Sequence, residues 1–340
     1  MYVHLREGSA TRNIRALAPG ITADNLSRII MCTDDRHAED LLKRGHLDNN
    51  LRVLTECGVN PVWAVKIATI NTALCYGLKD KGAVAPGYAA DLAVVDDLKN
   101  FNVSYVFKDG VLAAEKQKPL FSAAAFVPDY VTGTVNVKNL KPEDFRIELK
   151  GDRAKVIRLI PDNVLTETVI RDVSKKDGAV EVRGTNLLKL AVVERHRGTG
   201  NVGLGLIENY GLKDGALALT VSHDSHNAIV LGDSDADMYA AVKELERIGG
   251  GMAIASGGKA LHSLPLEIAG LMSALDIYTF EKKLEKMIKK AHEMGVSRDL
   301  QPFMSLSFLA LVVIPELKIT DRGLFNVNKF CFTSLEADEA

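Results

Sequence analysis

Only four cysteines, Cys32, Cys57, Cys75 and Cys331, occur in the 340 residues, and they follow no pairing pattern. A disulfide framework is excluded, and a reducing cytoplasm is the expected setting. Charge of one sign is missing too: 42 Lys plus Arg against 44 Asp plus Glu leave a net charge of −2, with no acidic or basic block. That balance excludes a dedicated nucleic-acid or anionic-membrane binder. Long apolar runs are absent, since the stretch from Leu306 ends at Pro315, well short of the roughly 20 residues that span a bilayer. Met1 to Ala10 shows neither the basic nor the apolar region of a secretory signal. No Walker-type glycine-lysine motif occurs and Gly203-Leu204-Gly205 lacks dinucleotide spacing, so nucleotide-dependent phosphoryl or hydride transfer has no support. Among the eight histidines no His-x-His pair exists, so a binuclear metal site would be incomplete within this chain.

What is present describes a core-forming chain. A 47% hydrophobic content with mean hydropathy +0.03 over 36.9 kDa fits two or three globular domains. Tyr2 to Leu5 and Ile29 to Cys32 read as short buried strands, the second running through the acidic Thr33-Asp34-Asp35 into helices over about 36–44 and 51–56. Asn60-Pro61 opens a longer helix that Gly77 closes. From Gly82 the period changes to that of strands: Asp91 to Val95, then a hairpin over Val103 to Val111 through Asp109-Gly110. Glu115 to Pro119 reads as a linker. Beyond a Pro142-Glu143-Asp144 turn, strands are expected at Phe145–Ile147, Lys155–Leu159, Leu188–Val193, Leu217–Val221 and Ala228–Leu231, with helices over about 234–247 and 280–294. The class is α/β.

Three constellations could carry chemistry. Asp34 and Asp35 follow a buried strand, where α/β barrels place catalytic and metal-binding carboxylates, although either could equally cap the next helix. Ser222-His223-Asp224-Ser225-His226-Asn227 places ionisable side chains between two apolar strands, to bind metal or a heterocycle or to bond within the loop. No nucleophile-elbow pattern surrounds Ser225. Glu194-Arg195-His196-Arg197-Gly198-Thr199-Gly200 could hold an anion or a purine edge, or be a charged turn.

These stretches, with Arg6-Glu7-Gly8-Ser9-Ala10, Met31-Cys32-Thr33-Asp34-Asp35-Arg36-His37, Pro86-Gly87-Tyr88-Ala89-Ala90-Asp91-Leu92 and Phe303 to Leu311, carry a resemblance. In order along nearly the whole chain, they resemble the C-terminal part of the bacterial and archaeal adenine deaminases of the amidohydrolase superfamily. The resemblance implies a remnant of a metal-dependent (β/α)8 barrel over 1–77, a small β-sandwich segment over 78–120 and an α/β C-terminal domain over 140–340. It implies hydrolysis of adenine to hypoxanthine and ammonia with a divalent metal, Mn2+ ahead of Fe2+ or Zn2+. Asp34 would ligate the metal and shuttle the proton, Glu7 would join it as a catalytic residue, and Arg6 would lie near the substrate. Arg195, His196, His223, Asp224, His226 and Asn227 become substrate-binding candidates.

The family's earlier strands, with their His-x-His pair, have no counterpart here, and two strands of eight do not close a barrel. The expectation is a cytoplasmic part of a homo-oligomeric enzyme, needing the remainder in trans, whose unpaired strands Tyr2–Leu5 and Ile29–Cys32 invite aggregation or a partner. Another cyclic amide or amidine as substrate, and a purine-binding module without turnover, are the rival readings.

Overall fold

The computed structural model describes residues 1–9, 11–122, 128–161 and 163–337; Ala10 of the first motif lies outside them. The chain divides into two compact units, Met1–Ala124 and Ala125–Ala340.

In the first unit, β1 (Val3–Arg6) enters α1 (Ile14–Leu17), and β2 (Ile29–Cys32) follows. The two strands expected to be unpaired are joined: β1 and β2 run parallel, with Arg6 opposite Cys32. Parallel pairing needs a crossover, which residues 7–28 supply, and Leu5, Ile30 and Leu54 are buried in the resulting core. Next come α2 (Ala38–Lys43), α3 (Leu47–Glu56), α4 (Pro61–Ala68) and α5 (Ile70–Cys75). The single helix expected after Asn60 is two. Thr69 breaks it with φ −120° and ψ −92°, and the Asn60 side chain caps α4 by accepting from the Val62 N–H at 2.9 Å.

A four-stranded antiparallel meander completes this unit: β3 (Leu92–Val95), β4 (Val103–Lys108), β5 (Val111–Glu115) and β6 (Lys118–Pro119). Asp109 and Gly110 take φ 49° and 79°, as the expected hairpin requires. The expected linker at Glu115–Pro119 is instead a second hairpin, turned by Lys116 and Gln117 at φ 47° and 64°. Neither is glycine, so the usual turn signal is missing.

The second unit is built on an eight-stranded mixed sheet. Its strands are β7 (Arg153–Leu159), β8 (Thr166–Asp172), β11 (Leu187–Val193), β12 (Val202–Glu208), β13 (Ala216–Leu219), β14 (Ala228–Gly232), β15 (Gly251–Ser256) and β16 (Lys259–Pro265). Between β8 and β11, β9 (Ser174–Lys176) and β10 (Ala179–Glu181) form a separate hairpin. The sheet order is β16-β15-β13-β14-β11-β12-β7-β8, and β12–β7 is its one parallel pair. Phe145–Ile147, expected as a strand, is not one: Phe145 ends a 3-10 turn over Pro142–Phe145, and Arg146 and Ile147 are irregular.

Alternation along the central strands decides which layer covers which face. Ala216, Ala218, Ala228, Val230, Ala253 and Ala255 pack under α6 (Asp235–Arg247), whose Met238, Ala241, Val242 and Leu245 sit directly on those small side chains. Leu217, Leu219, Ile229, Leu231 and Ile254 point the other way, against α7 (Ile277–Glu293) and α8 (Pro302–Ser307). A three-stranded sheet of β17 (Leu317–Thr320), β18 (Gly323–Asn326) and β19 (Cys331–Phe332) closes that face. Burying one leucine in such a core contributes roughly 2 kcal/mol, so these strands hold the loops at their ends firmly. Among the described residues, no helix is long and apolar enough to cross a membrane.

Candidate functional site

The sequence-predicted residues fall into two clusters, one in each unit. In the first unit Glu7 and Asp34 follow β1 and β2, so the parallel register delivers both carboxylates to the same strand ends. Gly8 makes this possible: a Cβ there would meet the carbonyl oxygens of Asp35 at 2.7 Å, Thr33 at 3.0 Å and Thr11 at 3.1 Å. The Ser9 N–H donates to the Asp35 carbonyl at 2.8 Å, and its hydroxyl donates to Asp40 at 2.6 Å while accepting from the His37 N–H at 2.8 Å. The two motifs are thus stitched together.

Neither aspartate caps the next helix, which starts after His37 with no side-chain cap. Asp34 has φ 61° and accepts from the Thr11 hydroxyl at 3.4 Å, while Arg6 Nη1 approaches it at 3.5 Å. Glu7 is 8% exposed. Burial raises its pKa above the ordinary glutamate value against the pull of Arg12, Arg15, Arg36 and Arg44, of which Arg12 comes nearest at 3.9 Å. Arg36, absent from the sequence candidates although it stands in the Asp34 motif, donates from Nη1 to the Glu7 carbonyl at 2.7 Å.

In the second unit, Arg195 and the His223–Asn227 loop meet at the ends of β11 and β14. Arg195 is 1% exposed. It donates from Nε to the His226 carbonyl at 2.6 Å, from Nη2 to Ala269 at 3.1 Å and from Nη1 to Thr134 at 3.4 Å. Its backbone N–H donates to the Asn227 side chain at 3.3 Å, and Gly270 at φ 71° lies flat against the guanidinium. Burial lowers its pKa to about 10, opposed by Glu194. The group is fixed and faces carbonyls of its own chain.

Glu194 opens the stretch expected to hold an anion or a purine edge, or to be a charged turn, and it organises that turn. Its carboxylate accepts from the N–H groups of His196 (2.6 Å), Arg197 (2.8 Å) and Thr199 (2.8 Å) and from the Thr199 hydroxyl (3.1 Å). Burial alone would raise its pKa, but these bonds hold it down at about 2. The loop expected to grip an anion therefore already grips its own. A Glu four residues ahead of Gly198-Thr199-Gly200 was the signal available in the sequence.

The histidines remain the open part of this cluster. His196 Nε2 lies 2.8 Å from the Ser225 carbonyl, and His223 stacks on Phe308 with ring centroids 4.9 Å apart and 5.7 Å from His226. His226 accepts at Nδ1 from the Ser222 N–H at 3.3 Å, and burial lowers its pKa. Asp224 projects outward, 4.0 Å from His223 Nδ1.

The residues present do not by themselves fit a divalent ion. Among the described residues no group of three or more His, Cys, Asp or Glu could hold one, and Asp34 already faces Arg6 and Thr11.

Comparison with known proteins supplies the context. Residues 163–331 match the adenine deaminase C-terminal domain, and residues 4–113 match the amidohydrolase family, a family that implies a divalent metal. The adenine deaminase of Nitratidesulfovibrio vulgaris (strain DP4) is 51% identical over 98% of this chain and 58% of its own length. Adenine deaminase 2 of Carboxydothermus hydrogenoformans is 47% identical over 97% of this chain and 58% of its own. That of Clostridium acetobutylicum is 44% identical over 98% and 59%. The chain thus spans a little under three fifths of the length of these relatives. Both family models are matched in sequence order and identity is sustained along nearly the whole chain, which is thus similar to the C-terminal portion of adenine deaminases of the amidohydrolase family.

Proposed function

We propose that this chain forms part of an enzyme that hydrolyses adenine to hypoxanthine and ammonia. One observation carries the reading: two parallel strands in register place Glu7 and Asp34 at the same ends, where α/β barrels keep their reacting groups. The relatives' shared activity supports the substrate. Residues 1–77 would be barrel, 78–120 a β-sandwich segment and 140–340 the C-terminal domain. In the first unit Arg6 would bind substrate; in the second, Arg195, His196, His223, Asp224, His226 and Asn227 are the substrate-binding candidates, Arg195 by holding the histidine loop. Asp34 is the one carboxylate of this cluster that we assign to a divalent ion, with manganese ahead of iron or zinc, in a cytoplasmic homo-oligomer.

The proton balance suits the two carboxylates. Water adds its oxygen to the carbon bearing the amine, the C–N bond to that amine breaks, one water proton leaves in ammonia and the other ends on the ring nitrogen. Asp34, with Arg6 Nη1 at 3.5 Å, takes a proton from the water and delivers it to the departing nitrogen. Glu7 gives its own proton to the ring nitrogen and recovers the second water proton; burial favours the protonated form that this needs.

The test is ammonia release from adenine with manganese, using this chain alone and mixed with the remaining part of a relative. Release that depends on both parts and falls by about a hundredfold or more in Asp34→Asn is the expected result; no release from the mixture, or an unchanged rate in Asp34→Asn, overturns it. The second reading is a purine-binding module without turnover. Metal-insensitive adenine binding without ammonia would establish it, and dihydroorotate, imidazolone and cytosine in the same assay check for another cyclic substrate.

A further inference from the structure

Buried polar atoms are nearly always partnered, so a knot of them without partners needs a cause. Among the described residues, five such atoms belong to side chains around the ends of β1 and β2: Arg6 Nε, Glu7 Oε2, Arg36 Nε and Nη2, and Asn50 Oδ1. Arg36 is the informative member. Its Nη1 is fixed on the Glu7 carbonyl at 2.7 Å, which leaves free the edge formed by Nε–H and Nη2–H. Those two parallel donors are the fork with which arginine grips two adjacent acceptors. The half-buried Arg36 pays a desolvation penalty that shows as a lowered pKa, and Asp40 and Asp48, the acidic groups that act on it most, are bonded elsewhere, to Ser9 and to Arg52 and the His46 N–H.

Resting on the proposed deamination, we propose that Arg36 contacts the purine, its free edge binding ring nitrogen N7 and the oxygen installed at C6, with Glu7 Oε2 accepting from the neighbouring N1–H. Hypoxanthine presents acceptor, acceptor and donor along that edge, which matches the three unpartnered groups. Adenine presents an amine where Arg36 needs an acceptor. The pairing therefore strengthens as oxygen replaces nitrogen, which is the differential hold that speeds a reaction, and the same arginine fork reads the N7 and O6 of an oxopurine elsewhere.

The experiment titrates the chain with hypoxanthine and then with adenine, following the Arg36 Nε–H resonance by NMR, and repeats the affinities in Arg36→Lys. Lysine keeps a donor for the Glu7 carbonyl and lacks the fork, and the wild-type resonance makes the test independent of how well the variant folds. The expected result is a saturable shift with hypoxanthine, weaker with adenine, and a loss of roughly tenfold or more in hypoxanthine affinity in Arg36→Lys with adenine affinity little changed. An unmoved Arg36 resonance while either base binds overturns the proposal, as does an equal loss for both bases, which would mark a purely structural arginine. Binding of neither base overturns it as well. Ammonia release from adenine, measured in parallel, shows whether the deaminase reading has failed with it or stands without it.

Discussion

The two clusters handle buried charge in opposite ways. In the second unit Arg195 reaches three carbonyls and Glu194 accepts four hydrogen bonds, so both ions are satisfied within the fold. At the ends of β1 and β2 the reverse holds: Arg6, Glu7, Arg36 and Asn50 each keep a buried atom without a partner. A satisfied ion stabilises its surroundings, whereas an unsatisfied one costs stability that a bound ligand returns. The second cluster is therefore built to hold a loop in shape and the first to meet something else.

The sharpest break of this contrast is Arg195→Met. It leaves the carbonyls of Thr134, His226 and Ala269 without their donor, and we expect a loss of about 3–5 kcal/mol confined to the second unit. Hydrogen exchange resolved by segment reads it: faster exchange in Leu187–Val193 and Ala228–Gly232, with Val3–Arg6 unchanged. Equal loss in both units would erase the distinction between the clusters.

Glu194→Gln comes next, at about 2–3 kcal/mol near neutral pH, because the amide replaces one acceptor oxygen with a donor facing the same N–H groups. The pH dependence has a definite sign. A carboxylate held down at about 2 contributes stability that is complete above the ordinary glutamate range and lost as pH falls through the folded value. The second unit should weaken between about pH 4.5 and pH 2, and in Glu194→Gln that slope should shrink. A slope that survives the substitution assigns it to other carboxylates.

The same contrast explains what could be read from sequence. The strands Ala216–Leu219 and Ala228–Gly232 and the helices Asp235–Arg247 and Ile277–Glu293 were legible, because apolar spacing and the Ser234 cap are local signals. The break at Thr69 and the hairpin at Lys116-Gln117 were not, since neither carries the glycine or proline that marks such geometry. In the sites, residue type named Asp34 and the histidines and the family resemblance added Glu7, but whether a charge such as that of Arg195 is satisfied depends on carbonyls far along the chain. Thr134 and Ala269 lie 61 and 74 residues from Arg195, and no spacing pattern connects them. Arg36 was invisible for the same reason, its carbonyl partner on Glu7 lying 29 residues away, whereas Glu194 bonds groups two to five residues on and its signal was local.

The smallest effect we expect has the opposite sign. Glu7 is buried with one oxygen unpartnered, and burial favours its protonated form. A carboxyl whose folded pKa is raised is at no disadvantage in acid, and it destabilises the fold as pH rises past the ordinary glutamate range and the group is forced to ionise. Glu7→Gln keeps the shape without the charge, so the first unit should gain up to about 1 kcal/mol at neutral pH and nothing at pH 4. Exchange of Val3–Arg6 and Ile29–Cys32 would slow while the second unit stays as it was. Ammonia release in the mixed system should fall at the same time, since stability gained by neutralising a group that the reaction uses is bought with activity. A loss of stability at neutral pH would show that Glu7 is as well satisfied as Glu194, and the difference between the two clusters would then rest on Arg6, Arg36 and Asn50.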